Sequence, residues 1–402
     1  MLTLDEALGR LLSSIRPLAE TEEVSTFDAL GRVLAAAVSS ALDVPPADNT
    51  SMDGYALRCA DVPAEGVLLP VSQRIPAGVV GLPLEPGTAA RIFTGAQVPA
   101  GADAVVMQEQ CESAGDAVRV NVVPQLGQWI RRRGEDVQHG AEVLPAGTRL
   151  TPQALGLAAS VGAGRLTVAR RSRVALFSTG DELVMPGQPL KPGAIYNSNR
   201  FTLRGMIQAL GCDCNDLGIV PDRLDATRAA LREAAQGNDL IVTSGGVSVG
   251  EEDHLRPAVQ AEGRIDLWQI AMKPGKPLAF GEVRRADGSN AWFMGLPGNP
   301  VSSFLTFALA VRPVLLALQG APAAAPRAAP MRADFDWPRP DKRREFLRAR
   351  RNAAGGLDLF ANQSSGVLTS AVWADGVVDN PSGQAIRKGD MVAFLSFAEL
   401  LS

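Results

Sequence analysis

The sequence predicts a multidomain α/β protein. We expect a doubly wound, mostly parallel α/β domain together with a helical platform, an inserted β-rich module and a small C-terminal β-barrel. At about 150 residues per domain, the 402 residues leave room for two to four such units. From residue 173 onward, short apolar strands alternate with amphipathic helices, which indicates a parallel sheet with crossover helices. Elsewhere, 40 glycines and 28 prolines help to divide the chain into short apolar runs.

The chain opens with an amphipathic helix. Thr3 followed by Glu6 is a capping box, and leucines recur after it at helical spacing. A second short helix is predicted over residues 26–37, and Thr151–Gly162 has a helical pattern again. We therefore predict a discontinuous helical platform from residues 1–42 and 141–172. The β-rich module, residues 43–140, is inserted between these two stretches.

Residues 173–320 have the alternating pattern of the α/β domain. The predicted elements are strand 174–177, helix 199–210, a strand ending near residue 220, helix 222–236, strand 240–242, a helix starting near residue 253, strands 265–271 and 292–294, and a helix after residue 300. Ligands of such sheets bind beyond the carboxyl ends of the strands. Residues 321–330, rich in alanine and proline, predict a linker, and residues 331–402 predict the β-barrel.

Composition excludes several classes of protein. With 39 basic and 43 acidic residues, the net charge of −4 argues against nucleic-acid binding through a broad basic surface. Four cysteines in so long a chain predict a reducing compartment rather than a disulfide framework. The N-terminus lacks the pattern of a signal peptide, and Arg312 and Pro313 interrupt the most apolar tract, Val301–Leu318. We therefore expect a cytoplasmic protein with no membrane contact.

Three loops that follow apolar strands of the α/β domain are all rich in small residues. They are Ser178–Glu182, Ser244–Asp253 and Gly295–Pro300. Small residues let backbone N–H groups approach an anion, and a helix N-terminus adds the positive end of its dipole. Each loop alone is compatible with an ordinary strand-to-helix turn, and none matches the Walker A or Rossmann pattern. Their convergence on one sheet edge predicts a pocket for an anionic ligand.

A turn with two lysines, Lys273–Pro277, lies between the second and third loops. Its prolines restrict the backbone, so the ammonium groups suit a phosphate or an oxyanion, although a solvated turn is the alternative. Asp181, Glu182 and Asp253 fall at the same sheet edge. Carboxylates beside a phosphate site are typical of Mg²⁺ binding, so the sequence predicts a phosphorylated ligand with a magnesium ion.

The β-rich module contains three further polar motifs. Asn49–Ala56 surrounds Asp53, Arg91–Gly95 includes Thr94, and Arg131–Asp136 sets three arginines against two acids. From the spacing alone, the aspartates are compatible with turn-forming residues and the arginines with a solvated face.

Taken in order along the chain, these motifs resemble the molybdopterin molybdenumtransferase (MoeA) family, which is similar to the C-terminal part of gephyrin. The resemblance covers nearly the whole chain. The matching motifs are Ser51–Ala56, Thr94–Gly95, Arg133–Asp136, Thr179–Leu183, Asn197–Asn199, Ser244–Gly250, Lys273–Pro277 and Leu296–Ser302.

The resemblance implies a fold and an activity. The family fold is an elongated four-domain homodimer, in which the β module of one subunit covers the molybdopterin-binding α/β domain of the other. The implied reaction inserts molybdate into adenylylated molybdopterin and releases AMP, with Mg²⁺ as cofactor. The resemblance also implies transient contact with a molybdopterin adenylyltransferase. An adenylyltransferase-like enzyme and a non-catalytic, gephyrin-like scaffold are the alternatives.

The resemblance also implies roles for individual residues. Catalytic roles fall on Asp53, Thr94, Asp136, Glu182, Asp253, Lys273 and Lys276, and metal binding on Asp181, Glu182 and Asp253. The implied ligand-binding residues are Thr179, Gly180, Asp181, Asn197, Ser198, Asn199, Asp222, Ser244, Gly245, Gly246, Ser248, Pro297, Gly298, Asn299, Pro300, Arg344, Arg348 and Ser365. In one departure from the family, Gln269 follows Trp268 where some members have a lysine.

Overall fold

The computed structural model describes residues 1–246, 254–322 and 325–401. The chain begins with the predicted helix α1 (Leu4–Ser14), whose capping box is formed by Thr3 and Glu6. Strands β1 (Thr21–Ser25) and β2 (Val38–Ser39) follow. The helix predicted over residues 26–37 is wrong. Only a 3₁₀ turn, Thr26–Asp28, forms there, because Gly31 adopts a φ of 74° and the next residues form bridges to residues 149 and 168.

The inserted module is built from β-strands and short 3₁₀ turns. Its strands are β3 (Asn49–Thr50), β4 (Gly54–Leu57), β5 (Val67–Ile75), β6 (Ala89–Ile92), β7 (Ala104–Met107), β8 (Cys111–Ala114), β9 (Ala117–Val120) and β10 (Ile130–Arg131), and its 3₁₀ turns are Cys59–Asp61 and Gln108–Gln110. Six strands form one sheet in the order β7-β4-β6-β5-β9-β8, and β3 pairs with β10 beside it. This β-rich character agrees with the sequence pattern.

The chain then returns to its first segment. The next elements are β11 (Glu142–Leu144), α2 (Pro152–Ser160) and β12 (Arg165–Ala169). Strand β12 pairs antiparallel with β1, with Thr21 opposite Ala169, and β11 pairs with β2. The two stretches of the predicted platform therefore share small sheets and are less helical than expected. Helix α1 packs instead against the α/β domain, where Leu4 and Leu11 belong to its core.

The α/β domain contains a six-stranded sheet in the order β16-β13-β17-β21-β20-β18. The elements of this region are β13 (Arg173–Thr179), β14 (Leu183–Val184), β15 (Ile195–Tyr196), α3 (Ser198–Ala209), β16 (Asp213–Val220), α4 (Leu224–Ala235), β17 (Leu240–Ser244), α5 (Leu255–Glu262), β18 (Gly263–Gln269), β19 (Met272–Lys273), β20 (Pro277–Arg284), β21 (Asn290–Leu296), α6 (Pro300–Thr306) and α7 (Arg312–Leu318). Strand β20, which the sequence analysis missed, alone runs against the others. Helices cover both faces of the sheet, as a doubly wound fold requires.

The apolar tract at residues 300–318 forms one continuous helical stretch. A π-helical turn, Phe307–Val311, joins α6 to α7, so Arg312 and Pro313 do not interrupt the helix. The wider turn directly precedes Pro313 and accommodates a residue that lacks a backbone N–H. By length and mean hydropathy, 1.9, this helix could cross a membrane, but 83% of the apolar window is buried inside the protein. This helix lies in the core of the α/β domain.

The C-terminal part forms a closed five-stranded barrel. Its elements are β22 (Ala329–Ala333), β23 (Arg344–Arg351), β24 (Gly356–Leu359), α8 (Thr369–Trp373), β25 (Gly376–Asn380), β26 (Met391–Ser396) and α9 (Phe397–Leu401). The strand order β23-β24-β22-β26-β25 closes through pairing of β25 with β23. Strand β22 begins inside the predicted linker, residues 321–330. Strand β19 joins the barrel, with Lys273 opposite Glu345, and so connects it to the α/β domain.

Candidate functional site

A cavity of 680 Å³ lies at the carboxyl edge of the parallel sheet. It is lined by the loops after β13, β17 and β21, by the turn before β20 and by two segments of the barrel. The predicted site residues that line it are Thr179, Gly180, Glu182, Asp222, Gly245, Gly246, Lys273, Lys276, Pro297, Gly298, Asn299 and Ser365. The three glycine-rich loops and the lysine turn therefore meet at one sheet edge, as their sequence positions predict.

Glycine is required where two of these loops approach each other. Gly245 follows β17 with a φ of 93°, and a Cβ there would lie 2.9 Å from the carbonyl oxygen of Thr179. Gly180 has a φ of 144°, and the Glu182 carboxylate occupies the space of its missing side chain. The absence of side chains leaves the backbone close enough to contact a ligand directly.

Replacing Gly245 with alanine is expected to destabilise the protein and weaken ligand binding. The matched control is Gly237→Ala, since Gly237 has a φ of 72° but a Cβ added there would have no atom within 4 Å. The control should lose only about 1–2 kcal/mol for its backbone conformation. Gly245→Ala should lose roughly 1–3 kcal/mol more because it also clashes with Thr179. Urea denaturation of both variants measures the difference, and equal losses would contradict the close approach.

Three cationic side chains line the cavity. Lys273 Nζ lies 3.3 Å from Glu345 Oε1 and 3.4 Å from Asp341 Oδ2. Arg343 donates two hydrogen bonds of 2.9 Å to the Asp341 carboxylate, and these hold the pKa of that carboxyl well below its usual range. Lys276 is exposed and forms no ion pair within the described parts of the chain. Lys276 is therefore the cation most available to a ligand.

Two carboxylates, Glu182 and Asp222, also line the cavity. Asp181 does not, because its Oδ1 accepts a hydrogen bond of 3.1 Å from the Asp222 backbone N–H. Within the residues that the structure describes, no three metal-binding side chains cluster together. The predicted residues Ser248 and Asp253 lie outside that set. Since Mg²⁺ commonly uses only one or two carboxylates plus substrate phosphates and water, the two carboxylates in the cavity fit such an ion.

Some predicted ligand-binding residues lie beside the cavity without lining it. They are Asn197, Ser198, Asn199, Ser244 and Pro300. Asn197 caps α3, where its side chain accepts a hydrogen bond from the Arg200 backbone N–H. Asn199 donates a hydrogen bond of 2.8 Å to the Gly298 carbonyl and so supports the loop after β21. The buried Ser244 hydroxyl lies 3.0 Å from that of Ser178. These contacts shape the walls of the cavity.

Arg344, which the resemblance places among the ligand-binding residues, lies outside the cavity. Its guanidinium donates two hydrogen bonds of 2.6 Å to Asp379 and does not line the cavity. Arg343 lines it instead; it lies in the bend directly before β23, where its guanidinium is held by Asp341. The sequence analysis also missed Ser302, Gln363 and Ser364. No local pattern in the sequence indicated Arg343, Gln363 or Ser364, because the barrel brings them to the cavity.

Arg348 also lies behind the cavity wall rather than in it. It is 1% exposed, and it donates hydrogen bonds to the carbonyl oxygens of Phe346 and Ser364 and to the Ser370 hydroxyl. Its own backbone N–H donates to Gln363 Oε1 at 2.8 Å. Burial lowers the pKa of Arg348 to about 10. Arg348 thus holds the segment that contains Gln363 and Ser364 in place.

Asp53, Thr94 and Asp136 belong to the inserted module, and none of the module's residues lines the cavity. Thr94 donates two hydrogen bonds of 2.8 Å to Asp53 Oδ1, one from its backbone N–H and one from its hydroxyl. These bonds hold the pKa of Asp53 below its usual value. The side chain of Asp136 is exposed. A single chain therefore does not bring these three residues to the cavity.

Family models match the N-terminal region, the α/β domain and the C-terminal barrel of this chain. Residues 2–162 match the MoeA N-terminal region (domain I and II), residues 175–317 match the "Probable molybdopterin binding domain", and residues 330–397 match the MoeA C-terminal region (domain IV). A molybdopterin molybdenumtransferase from Haemophilus influenzae is 42% identical over 322 residues, which are 80% of this chain and 78% of the relative. The chain belongs to the molybdopterin molybdenumtransferase family.

Other members of the molybdopterin molybdenumtransferase family match over nearly their full length. Molybdopterin molybdenumtransferase 2 of Mycobacterium tuberculosis is 37% identical, with 93% of both chains covered. The crystal structure of a MoeA protein from Pyrococcus horikoshii OT3 has a TM-score of 0.83 at 28% identity, over 98% of this chain and 100% of that chain. The predicted fold class, with its molybdopterin-binding domain and C-terminal barrel, is confirmed.

Proposed function

We propose that this chain inserts molybdate into adenylylated molybdopterin and releases AMP. The proposal rests on the cavity in which Lys273, Lys276 and Arg343 meet Glu182 and Asp222 across glycine-rich loops. The substrate has a pyrophosphate, and molybdate is an oxyanion, so both need clustered donors and cations. The cavity volume of 680 Å³ falls in the usual range for small-molecule sites. The names of the family's members support the same reaction.

Different residues of the cavity would bind different parts of the substrate. The backbone N–H of Gly246 would donate to a phosphate oxygen, since that of Gly245 donates to the Leu296 carbonyl, and Lys276 would donate to the most exposed oxyanion. Glu182 and Asp222 would hold Mg²⁺, which supplies positive charge to the phosphoryl group that is cleaved. Asp341 and Glu345 fix Lys273 and Arg343 by ion pairing, so these two cations are positioned before the substrate arrives.

We propose a homodimer in which the inserted module of one subunit covers the cavity of the other. The supporting observation is that Asp53, Thr94 and Asp136 lie outside the cavity of their own chain. A partner's module would bring an ionised carboxylate to the substrate and exclude water from it. We place the reaction in the cytoplasm, where the free cysteines Cys59, Cys111, Cys212 and Cys214 would stay reduced. Transient contact with a molybdopterin adenylyltransferase would supply the adenylylated substrate.

The test is to incubate the purified protein with adenylylated molybdopterin, Mg²⁺ and molybdate, and to measure AMP release and cofactor formation. We expect both products, and a much lower rate after chelation of Mg²⁺. Absence of AMP above background would overturn the proposal. A parallel incubation with molybdopterin and ATP separates this function from adenylyl transfer, which predicts formation of the adenylylated compound instead.

Replacing Lys276 with methionine should weaken substrate binding while leaving the fold intact. Lys276 is exposed at the cavity and has no carboxylate partner within the described residues, so its loss removes a charge-assisted contact to substrate. Such contacts are worth about 1.5–3 kcal/mol, which corresponds to an increase in KM of roughly 10- to 100-fold. The control is Lys388→Met, an exposed lysine of the barrel outside the cavity. Equal KM values for the two variants would show that Lys276 does not contact the substrate.

A further inference from the structure

A second polar surface lies in the inserted module, next to Asp53. It consists of Tyr55, Arg74, Arg91 and Phe93, and we call it the arginine–aromatic ladder. The guanidinium carbons of Arg74 and Arg91 lie 4.7 and 4.6 Å from the centre of the Phe93 ring. Arg91 also lies 5.1 Å from the centre of the Tyr55 ring. Cations within about 6 Å of a ring centre are attracted to its face, so the rings hold both arginines.

The ladder places two positive charges on neighbouring strands. Arg74 on β5 is in register with Arg91 on the parallel strand β6, and two like charges on neighbouring strands repel each other. Arg91 donates hydrogen bonds to the Gly54 carbonyl and to Gln108. Arg74 is exposed, and across the described ranges it has no hydrogen bond or ion pair. An arrangement that breaks a local rule of stability is typical of a functional site, and a bound anion would remove the repulsion.

The ladder is continuous with the Asp53–Thr94 pair. Thr94 follows Phe93 in sequence and donates its two hydrogen bonds to Asp53. Arg91 is close enough to contribute to the lowered pKa of Asp53. A substrate that reaches Asp53 therefore also comes close to Arg91, and Phe93 places the Arg74 guanidinium nearby.

We propose that Arg74 and Arg91 form a phosphate-binding subsite that holds the pyrophosphate of the adenylylated substrate beside Asp53. The inference rests on the proposed function and on the proposed dimer. Guanidinium groups match phosphate oxygens with two parallel hydrogen bonds, and Arg74 has all its donors available. Phe93 acts as a positioning residue because it holds both guanidiniums. The loops and the Mg²⁺ of the partner's cavity would hold the same pyrophosphate from its other side.

The test compares the steady-state kinetics of AMP release by the wild-type protein, Arg74→Ala, Arg74→Lys and Arg119→Ala. Arg119 is an exposed arginine on β9 of the same module and serves as the control. We expect Arg74→Ala to raise the KM for adenylylated molybdopterin about tenfold with kcat nearly unchanged. Arg74→Lys should recover part of the loss, and Arg119→Ala should behave as wild type. The thermal midpoint of Arg74→Ala should stay the same or rise, because a like-charge pair is removed.

Two results would overturn the subsite. An unchanged KM in Arg74→Ala would show that the substrate does not contact Arg74. A fall in kcat together with a lower thermal midpoint would show that the ladder only stabilises the sheet. Both results can be interpreted only if the wild-type protein is active. If the wild-type protein releases no AMP, the proposed function itself fails, and this result is distinguishable from failure of the subsite.

Discussion

Asp53→Ala is expected to abolish AMP release while leaving nucleotide binding largely intact. Asp53 does not line the cavity of its own chain, so its removal should not disturb the loops that bind phosphates. The carboxylate is held ionised by two hydrogen bonds from Thr94, as a group that accepts a proton or orients a reactant requires. Loss of such a group lowers kcat by about 10²- to 10⁴-fold. Turnover assays and calorimetric titration with AMP measure the two effects separately.

The pH dependence of turnover gives a second measure of Asp53. Its pKa is lowered in the folded protein, chiefly by the hydrogen bond from the Thr94 backbone N–H. Its charge is therefore present above the lowered pKa and is lost only as the pH falls through that value. Thr94→Val keeps the backbone bond and removes the hydroxyl bond, so turnover should fall less than in Asp53→Ala and its acid limb should move to higher pH. Equal loss of turnover and nucleotide binding in Asp53→Ala would instead assign Asp53 a structural role.

Arg348→Ala is expected to destabilise the protein and weaken substrate binding together. The substitution removes the guanidinium donors to the carbonyl oxygens of Phe346 and Ser364 and to the Ser370 hydroxyl, which still donates to the Val367 carbonyl. Unpaired buried polar groups cost about 1–3 kcal/mol each. Because the buried guanidinium has no carboxylate partner among the described residues and its pKa is lowered, its removal also relieves a burial penalty. We expect a net loss of roughly 2–4 kcal/mol, measured by urea denaturation.

The control for Arg348 is Arg351→Ala on the same strand. Arg351 is 62% exposed and lies 3.8 Å from Asp375, so its loss should change stability by less than about 1 kcal/mol. Arg348→Ala should also raise the KM, since its guanidinium donates a hydrogen bond to the carbonyl oxygen of Ser364, which lines the cavity. Equal stability of the two variants would contradict the supporting role of Arg348.

The carboxyl edge of the parallel sheet could be predicted because the sequence patterns that mark it are local. Apolar strands and the glycine-rich loops that follow them occupy consecutive residues, and the rule for parallel sheets places those loops together. Gly245 and Lys276 were identified in this way. The helix predicted over residues 26–37 failed because bridges to residues more than 100 positions away overrode its local pattern. Strand β20 was missed because its direction depends on pairing with β18 and β21.

The barrel side of the site was harder to predict because it depends on register and burial. Arg343, Arg344 and Arg348 have the same chemistry, and only the folded barrel distinguishes them. Arg343 lines the cavity, Arg344 pairs with Asp379, and Arg348 is buried behind the wall. The role of Asp53 and Asp136 was harder still to predict, because both residues lie away from the cavity of their own chain. The catalytic role proposed for them depends on the proposed dimer, which no pattern within one chain specifies.

Strand β19 limits how the parts of this chain could be exchanged during evolution. The two residues of β19 pair with the barrel, yet they lie in the connection between β18 and β20 of the α/β sheet. Lys273 therefore depends on a carboxylate, Glu345, that is encoded 72 positions later. A barrel acquired from another protein would need an acid at that position and a strand of matching register. The α/β domain and the barrel are thus constrained to change together, although a linker separates them in sequence.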